Sequence, residues 1–155
     1  MEESNRIVKG SYKNRALQLT EKTNENEPSE NYISIPLIGS IAAGTPILAE
    51  QNLVDNVLVS ETLFKGTNLF MLKVKGDSMI NVGIMNGDFV VINKQDVASN
   101  GEIIAAMIDG EATVKRYYKE NGFFRLKPEN FRLDDIITDH LTILGKVVGV
   151  IRSYR

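Results

Sequence analysis

Ser78 is the residue of this sequence best suited to nucleophilic chemistry, because it follows a predicted strand just past a glycine break. Phe70, Leu72 and Val74 alternate along one face, which predicts a half-buried strand that Gly76 ends. A serine beyond a strand end holds its hydroxyl outside the hydrogen-bond ladder, and the neighbouring amides can point the same way. A nucleophile and an oxyanion hole both need that geometry.

A serine hydroxyl needs a base to take its proton, and the sequence offers two. Lys115 lies in the predicted strand after Asp109-Gly110, among alanine, valine and tyrosine. A free lysine has a pKa of about 10.4, and burial in an apolar cleft lowers it by up to about 3–5 units. A buried Lys115 would therefore accept the proton and later donate it to the leaving amine. The alternative base is the single histidine, His140, in a triad with a nearby aspartate; we interpret it instead as a polar residue entering the last strand.

The stretch Ile41-Ala42-Ala43-Gly44 has the composition of a peptide substrate. Small side chains let a backbone lie flat in a narrow cleft beside a nucleophile. Gly44 has no Cβ and so removes steric hindrance just after a bond to be cut. The same residues are also typical of a plain turn, so their interpretation depends on the serine and the lysine.

The elements that must position these residues form a mostly-β domain from residue 32 onward. Its predicted features are alternating residues at 33–37, a short strand at 56–60, a helical turn at 61–65, an apolar strand at 89–92, hairpins at Asp109-Gly110 and Asn121-Gly122, a strand at 123–127 and a long strand at 142–152. Pro36 suits an edge or a strand end. Short strands separated by glycine turns predict a compact barrel or sandwich rather than βαβ units.

The front of the chain differs from the rest in composition. Residues 1–19 hold two apolar fragments that are too short to build a core. Residues 20–31 hold four acidic residues and no apolar one, which predicts a flexible linker. We therefore divide the chain into 1–19, the linker 20–31 and a folded domain at 32–155.

Composition excludes several classes of function. The chain has no cysteine, so neither a cysteine nucleophile nor a Cys/His zinc site is available. A net charge of −2 makes the chain as a whole no electrostatic trap for nucleic acid. No glycine-rich phosphate loop is present, and we expect neither a metal nor a cofactor. No apolar run approaches the about 20 residues that span a bilayer, and no signal peptide is visible, so we expect a cytoplasmic protein without a membrane.

Three motifs in order resemble the LexA family of self-cleaving repressors: Ile-Ala-Ala-Gly at 41–44, Lys-Gly-Asp-Ser-Met at 75–79 and Glu-Ala-Thr-Val-Lys-Arg at 111–116. The similarity extends over about residues 35–152. Further matching segments are Gly83–Asp88, Leu126–Asn130 and Val148–Arg152. Three linked motifs are far more specific than any one of them.

The resemblance implies a role for each residue of the site. Ala43–Gly44 would be the scissile bond, within a recognised cleavage segment that also includes Ile41 and Ala42. Ser78 would be the nucleophile and Lys115 the general base, and the amides of Asp77 and Ser78 would form the oxyanion hole. The fold would be the β domain of S24 peptidases, which is similar to that of signal peptidases.

The resemblance also implies partners. Family members cut themselves when they meet a RecA filament on single-stranded DNA, and they form homodimers through this domain, for which Val147–Ser153 matches the terminal strand. A LexA-type repressor begins with a winged helix-turn-helix domain, and residues 1–19 look like its last part. We therefore expect operator DNA to be bound only by a full-length protein with that domain, and cleavage to detach the DNA reader.

Other interpretations stay open at this point. A UmuD-like accessory subunit of a translesion polymerase also processes itself, although the wing-like front and the Ala-Gly bond favour a repressor. A phage-type repressor of the same superfamily is a further alternative. A signal peptidase shares the Ser/Lys chemistry but needs a membrane anchor. A catalytically silent β module used for dimerisation would be indifferent to substitution of Ser78 and Lys115.

Overall fold

The computed structural model describes residues 31–41, 44–66 and 68–154. Within these residues, nine strands form one sheet with the order β2-β1-β3-β4-β9-β5-β6-β7-β8. The strands are β1 Tyr32–Ile38, β2 Leu53–Ser60, β3 Leu69–Lys73, β4 Phe89–Lys94, β5 Ile103–Ile108, β6 Glu111–Glu120, β7 Phe123–Lys127, β8 Ile136–Thr138 and β9 Thr142–Ile151. Short 3₁₀ turns cover Glu50–Asn52 and Ile80–Val82. The prediction of a mostly-β fold is confirmed, whereas the predicted divisions 1–19 and 20–31 lie, apart from residue 31, outside the described part.

Turn chemistry explains most of the connections. Asp109 and Gly110 both have positive φ, 51° and 83°, and such a pair closes a tight hairpin whose twist matches its strands.

The predicted helical turn at 61–65 is wrong. The chain there makes one tight turn, in which Leu63 N–H donates to Ser60 O and the Ser60 hydroxyl accepts from Thr62 N–H. The sequence analysis also missed β8, which is only three residues long.

The strand that precedes the serine is buried on both faces, so the prediction of a half-buried strand is wrong. Phe70 and Leu72 pack into one core cluster, which also contains Met79, the residue after the serine. Leu69 and Met71 point the opposite way and pack into a second cluster. Alternation along β3 therefore separates two apolar layers, and packing on both sides anchors the strand that leads to the serine.

The hairpin of β1 and β2 joins the rest of the sheet through a short seam. Seven residues of β1 pair with β2, but the parallel pairing of β1 with β3 consists of Leu37↔Met71 and Ile38↔Leu72. Before Leu37 the two strands separate around a cavity of about 380 Å³ whose lining includes Ile33, Pro36, Gly66 and Leu69. Pro36 thus lies directly before the paired stretch, where its missing N–H breaks no bond to β3.

The last strand, β9, has different neighbours along its two halves. Residues 142–146 pair with β5, and residues 145–151 pair with β4. Within the described part of the chain, residues 147–151 therefore have a neighbouring strand on one side only. Gly145 lies where the halves meet, and a Cβ there would collide with the carbonyl oxygen of Asn93.

Candidate active site

Ser78 lies in the loop of residues 74–88 between β3 and β4, which we call the Ser78 loop. The ends of this loop are joined by two backbone hydrogen bonds of 2.8 Å, from Val74 N–H to Asp88 O and from Gly87 N–H to Val74 O. Gly76 has a φ of +87°, and its N–H donates to Asn86 Oδ1 at 2.7 Å. Glycine tolerates that conformation without strain, which explains the break in front of the serine.

A second segment, residues 128–130, holds the middle of the Ser78 loop. Asn130 is 8% exposed, and its Nδ2 donates to the carbonyl oxygen of Asp77 at 2.9 Å. The backbone N–H of Asn81 donates to Glu129 O at 2.8 Å. The residue before the serine and the turn after it are therefore both bound to the same segment.

An ion pair between the buried Asp88 and Arg152 holds the end of the loop. Asp88 is 1% exposed and accepts from Arg152 Nε at 2.7 Å and Nη2 at 2.8 Å, and from Met85 N–H at 2.7 Å. The Arg152 guanidinium holds the pKa of Asp88 below its usual value. Arg152 Nη2 also donates to Gly83 O at 2.7 Å. Because the buried carboxylate has three donors, its charge is compensated, and the residue following β9 is tied to the Ser78 loop.

Lys115 reaches Ser78 from β6. Its Nζ donates to Ser78 Oγ at 3.1 Å and to Thr113 Oγ1 at 2.6 Å. Burial lowers the pKa of the Lys115 ammonium, because the charged form loses its hydration. The structure thus brings together the two residues that the sequence analysis selected as nucleophile and base.

Thr113 is a member of the site that the sequence analysis missed. Residues i and i+2 of a strand share a face, so a lysine at 115 that points towards Ser78 puts residue 113 beside it. The Thr113 hydroxyl then restricts where the amine of Lys115 can lie. This rule could have found Thr113 once Lys115 was chosen.

The alternative base, His140, is engaged elsewhere. Its Nδ1 lies 2.8 Å from Asp139 Oδ1, and its Nε2 lies 3.1 Å from Asp109 Oδ1. The side chain is 67% exposed, and the two carboxylates raise its pKa. Since both ring nitrogens face carboxylates, His140 does not pair with Ser78; it lies two residues before β9.

The expected oxyanion hole consists of the backbone amides of Asp77 and Ser78. In the described part of the chain, neither the N–H of Asp77 nor that of Ser78 donates a hydrogen bond. Two adjacent free donors beside a serine hydroxyl can stabilise a negative oxygen that develops next to that hydroxyl. A partly buried lysine amine with a lowered pKa, a hydroxyl and two open amides together suit acyl transfer.

The expected cleavage segment is described in part. Ala42 and Ala43, on the amino side of the expected Ala43–Gly44 bond, lie outside the described residues. Ile41, on one side, is half-buried against the cluster that contains Met79. Ile47, on the other side, is 6% exposed within that same cluster. Both flanks of the segment therefore pack into the core layer that also holds the residue following Ser78.

Asn52 holds the chain that follows the segment. Its side chain is 2% exposed, and Nδ2 donates to Pro46 O at 3.0 Å, to Ile47 O at 3.3 Å and to Thr45 Oγ1 at 3.3 Å. The sequence analysis gave Asn52 no role, because backbone carbonyl partners leave no mark on the sequence. Gly44 has a φ of +76°, which starts the turn that Asn52 closes.

Two other features bear on the kind of site present. Among residues 31–41, 44–66 and 68–154, no group of three or more acidic or histidine side chains could hold a metal ion. In that same part, no helix combines the length and the apolar character needed to cross a membrane.

Comparison with known proteins identifies the family. The Peptidase S24-like family matches residues 36–148, which is well over half of the chain and includes the Ser78 loop and Lys115. The chain belongs to the S24 peptidase family.

Relatives of this chain include LexA repressors. The LexA repressor of Clostridium perfringens (strain ATCC 13124) is 45% identical over 155 residues, which cover 99% of this chain and 75% of that protein. The LexA repressor of Clostridium botulinum (strain Hall) is 43% identical over 155 residues, with coverage of 99% and 75%. That of Desulfitobacterium hafniense (strain DCB-2) is 43% identical over 152 residues, with coverage of 98% and 74%. The resemblance inferred from the motifs is confirmed.

Proposed function

We propose that this chain is the self-cleaving part of a LexA-type transcriptional repressor of the SOS response. Ser78 is the nucleophile and Lys115 the general base for hydrolysis of the chain's own Ala43–Gly44 bond. The observation that supports this most is the 3.1 Å contact between a partly buried amine and a serine hydroxyl in the loop that follows a buried strand. The names of the relatives support the repressor role.

The reaction follows from the charges at the site. The neutral Lys115 amine takes the proton of Ser78 Oγ as that oxygen bonds to the carbonyl carbon of Ala43. The carbonyl oxygen becomes negative, and the amides of Asp77 and Ser78 donate to it. When the peptide bond breaks, Lys115 gives its proton to the nitrogen of Gly44. Water then attacks the ester between Ala43 and Ser78, and the same amine takes a proton from the water and returns it to Ser78 Oγ as the ester bond breaks.

In a self-cleaving chain, the rate of cleavage is controlled by how often the cleavage segment is docked at Ser78. Well-oriented intramolecular reactions reach effective molarities of about 10⁵–10⁸ M, so a segment that was always docked would be cut at once. A RecA filament on single-stranded DNA would act by favouring the docked segment, which raises the populated fraction of the reactive state. Docking would also cover Lys115 and so favour its neutral form.

The sheet order indicates where a second copy of the chain could bind. The free side of residues 147–151 in β9 supports homodimerisation through Val147–Ser153, by pairing with the same strand of a second copy. A dimer presents two DNA readers to two half-sites. Cleavage at Ala43–Gly44 would separate each reader from the dimerising domain, and the avidity for the operator would be lost.

The test is the intact mass of the purified chain after incubation between pH 7 and about pH 10, the range in which a lysine loses its charge. Fragments that separate between Ala43 and Gly44 should form faster in alkali and be absent from Ser78→Ala and Lys115→Ala. His140→Gln should cut like the unsubstituted chain, because its ring pairs with Asp109 and Asp139. A chain that stays whole in alkali and with an activated RecA filament would contradict the proposal and leave a dimerising β module.

A further inference from the structure

The segment Leu126–Asn130 contributed to the family resemblance, but the proposed chemistry gives it no role. Its last residue, Asn130, is buried and makes two hydrogen bonds with its side chain. Nδ2 donates to Asp77 O at 2.9 Å, and Oδ1 accepts from Arg132 N–H at 2.9 Å. The first bond joins positions 53 residues apart and ends on the peptide group that contains the nitrogen of Ser78.

The planarity of that peptide group makes the contact informative. In a trans peptide the carbonyl oxygen and the following N–H point in opposite directions within one rigid plane. Fixing the oxygen of Asp77 therefore fixes the direction of the Ser78 N–H. The other donor to this oxygen is the N–H of Ile80, at a longer 3.4 Å. Asn130 thus makes the shorter of the two contacts that set the plane.

The surroundings of this peptide explain why it needs holding. Gly76 precedes it with a φ of +87°, a position where the backbone has no Cβ to restrict it. The Ser78 N–H donates no bond within the described chain, so nothing there anchors the plane from its N–H side. A hydrogen bond to the carbonyl also polarises the amide and makes its N–H a stronger donor.

We propose that Asn130 is the positioning residue of the oxyanion hole, acting through the carbonyl of Asp77 on the N–H of Ser78. This inference rests on the proposed function, since it assigns the Ser78 amide to the oxyanion. Glu129 assists from the same segment by accepting from Asn81 N–H, which holds the turn after the serine.

The test compares two variants of Asn130 in alkaline self-cleavage. Asn130→Asp keeps the size of the side chain and the acceptor for Arg132 N–H but loses the donor to Asp77 O. Asn130→Ala loses both contacts and adds no charge. Loss of a whole oxyanion donor costs about 10²–10³ in rate, so a misdirected donor should lower the plateau rate of both variants about tenfold or more. The pH midpoint of the rate should stay unchanged in Asn130→Ala, because this variant leaves Lys115 in place and adds no charge near it.

A matched control and a spectroscopic readout separate positioning from folding. Asn100→Ala removes an exposed asparagine outside the Ser78 loop, which accepts from Lys119 N–H at 2.8 Å, and should cut like the unsubstituted chain. In a Ser78→Ala background, which cannot cut, Asn130→Asp should shift the ¹⁵N resonance of the residue 78 amide and leave the amides of β5 and β6 in place.

The outcomes are distinct. If the unsubstituted chain cuts and Asn130→Asp cuts equally fast, the inference is wrong and the proposed function stands. The inference is also wrong if the rate falls only in proportion to the unfolded fraction, or if the amide of residue 78 does not shift. If the unsubstituted chain never cuts, the proposed function has failed, and the oxyanion role of Asn130 fails with it.

Discussion

At the scale of single residues, the proposed chemistry depends on the burial of Lys115 beside Ser78 more than on the residue type. Lysine is a poor base in water, and burial beside Ser78 lowers the pKa of its ammonium. The sequence could supply both residue types and the hairpin that carries Lys115. The role of Asn130 could not be predicted from the sequence, because its partner is a backbone carbonyl 53 residues away.

The lowered pKa of Lys115 predicts a pH dependence of stability. Between the folded-state pKa and the higher unfolded-state pKa, the unfolded chain binds more protons, so the free energy of unfolding rises with pH in that window. Below the folded-state pKa, the native state must keep a buried charge. Lys115→Met, an uncharged chain of similar length, should therefore stabilise the domain near neutral pH and flatten this rise.

The measurement is urea unfolding at several pH values from 7 to about 10, comparing Ser78→Ala with Ser78→Ala/Lys115→Met so that no chain is cut. The other titrating groups are common to both proteins and cancel in the difference. A difference that does not shrink as pH rises would mean that Lys115 keeps an ordinary pKa in the fold.

At the scale of elements, short-range sequence signals predicted the hairpin correctly. The burial of a strand on both of its faces was not predicted. The Asp109-Gly110 turn and its strands followed from residues that favour positive φ. β3 was misjudged because alternation reveals one apolar face, and the second face was filled by residues of equal apolarity, Leu69 and Met71. β8 gave no signal because three residues are too few to show a period.

The segment between β1 and β2 supplies a prediction at this scale. Asn52→Asp keeps the shape of the side chain but puts carboxylate oxygens against the carbonyls of Pro46 and Ile47. Losing a buried donor costs about 1–3 kcal/mol, so the docked segment should become less populated and the rate at about pH 10 should fall about tenfold. Intact-mass time courses would measure it.

The matched control is Asn56→Asp on β2, whose side-chain oxygen accepts from Ser34 Oγ and is retained in the aspartate. This variant should cut at the unsubstituted rate. Equal rates for Asn52→Asp and the unsubstituted chain would show that the turn after Gly44 presents the bond without the Asn52 side chain.

At the scale of the whole molecule, the proposed dimer depends on the half of β9 that β5 leaves uncovered. Val148 and Val150 are 39% and 37% exposed on one face of that half. The family resemblance pointed to this strand, but only the sheet order reveals why its edge is open: β5 pairs with residues 142–146 and stops.

Charged residues at this edge should weaken the dimer. Val150→Lys places like charges close together across a two-fold axis, which costs several kcal/mol when they are juxtaposed, so the dissociation constant should rise about tenfold or more. Sedimentation equilibrium in the Ser78→Ala background measures it. Val97→Lys, at a valine that is 74% exposed outside the strands, is the control. An unchanged constant for Val150→Lys would place the interface elsewhere.

The seam between β1 and β3 has a consequence for cooperativity. A sheet usually opens where the fewest ladder bonds cross, and the fewest here cross at Leu37↔Met71 and Ile38↔Leu72. Parting these pairs would release β1, β2 and the chain between them as one sub-global unit, while β4 to β9 keep their pairing. The substrate and the catalytic residues of the proposed reaction thus lie on opposite sides of the strand pairing with the fewest paired residues, so opening this seam would carry the cleavage segment away from Ser78 and Lys115.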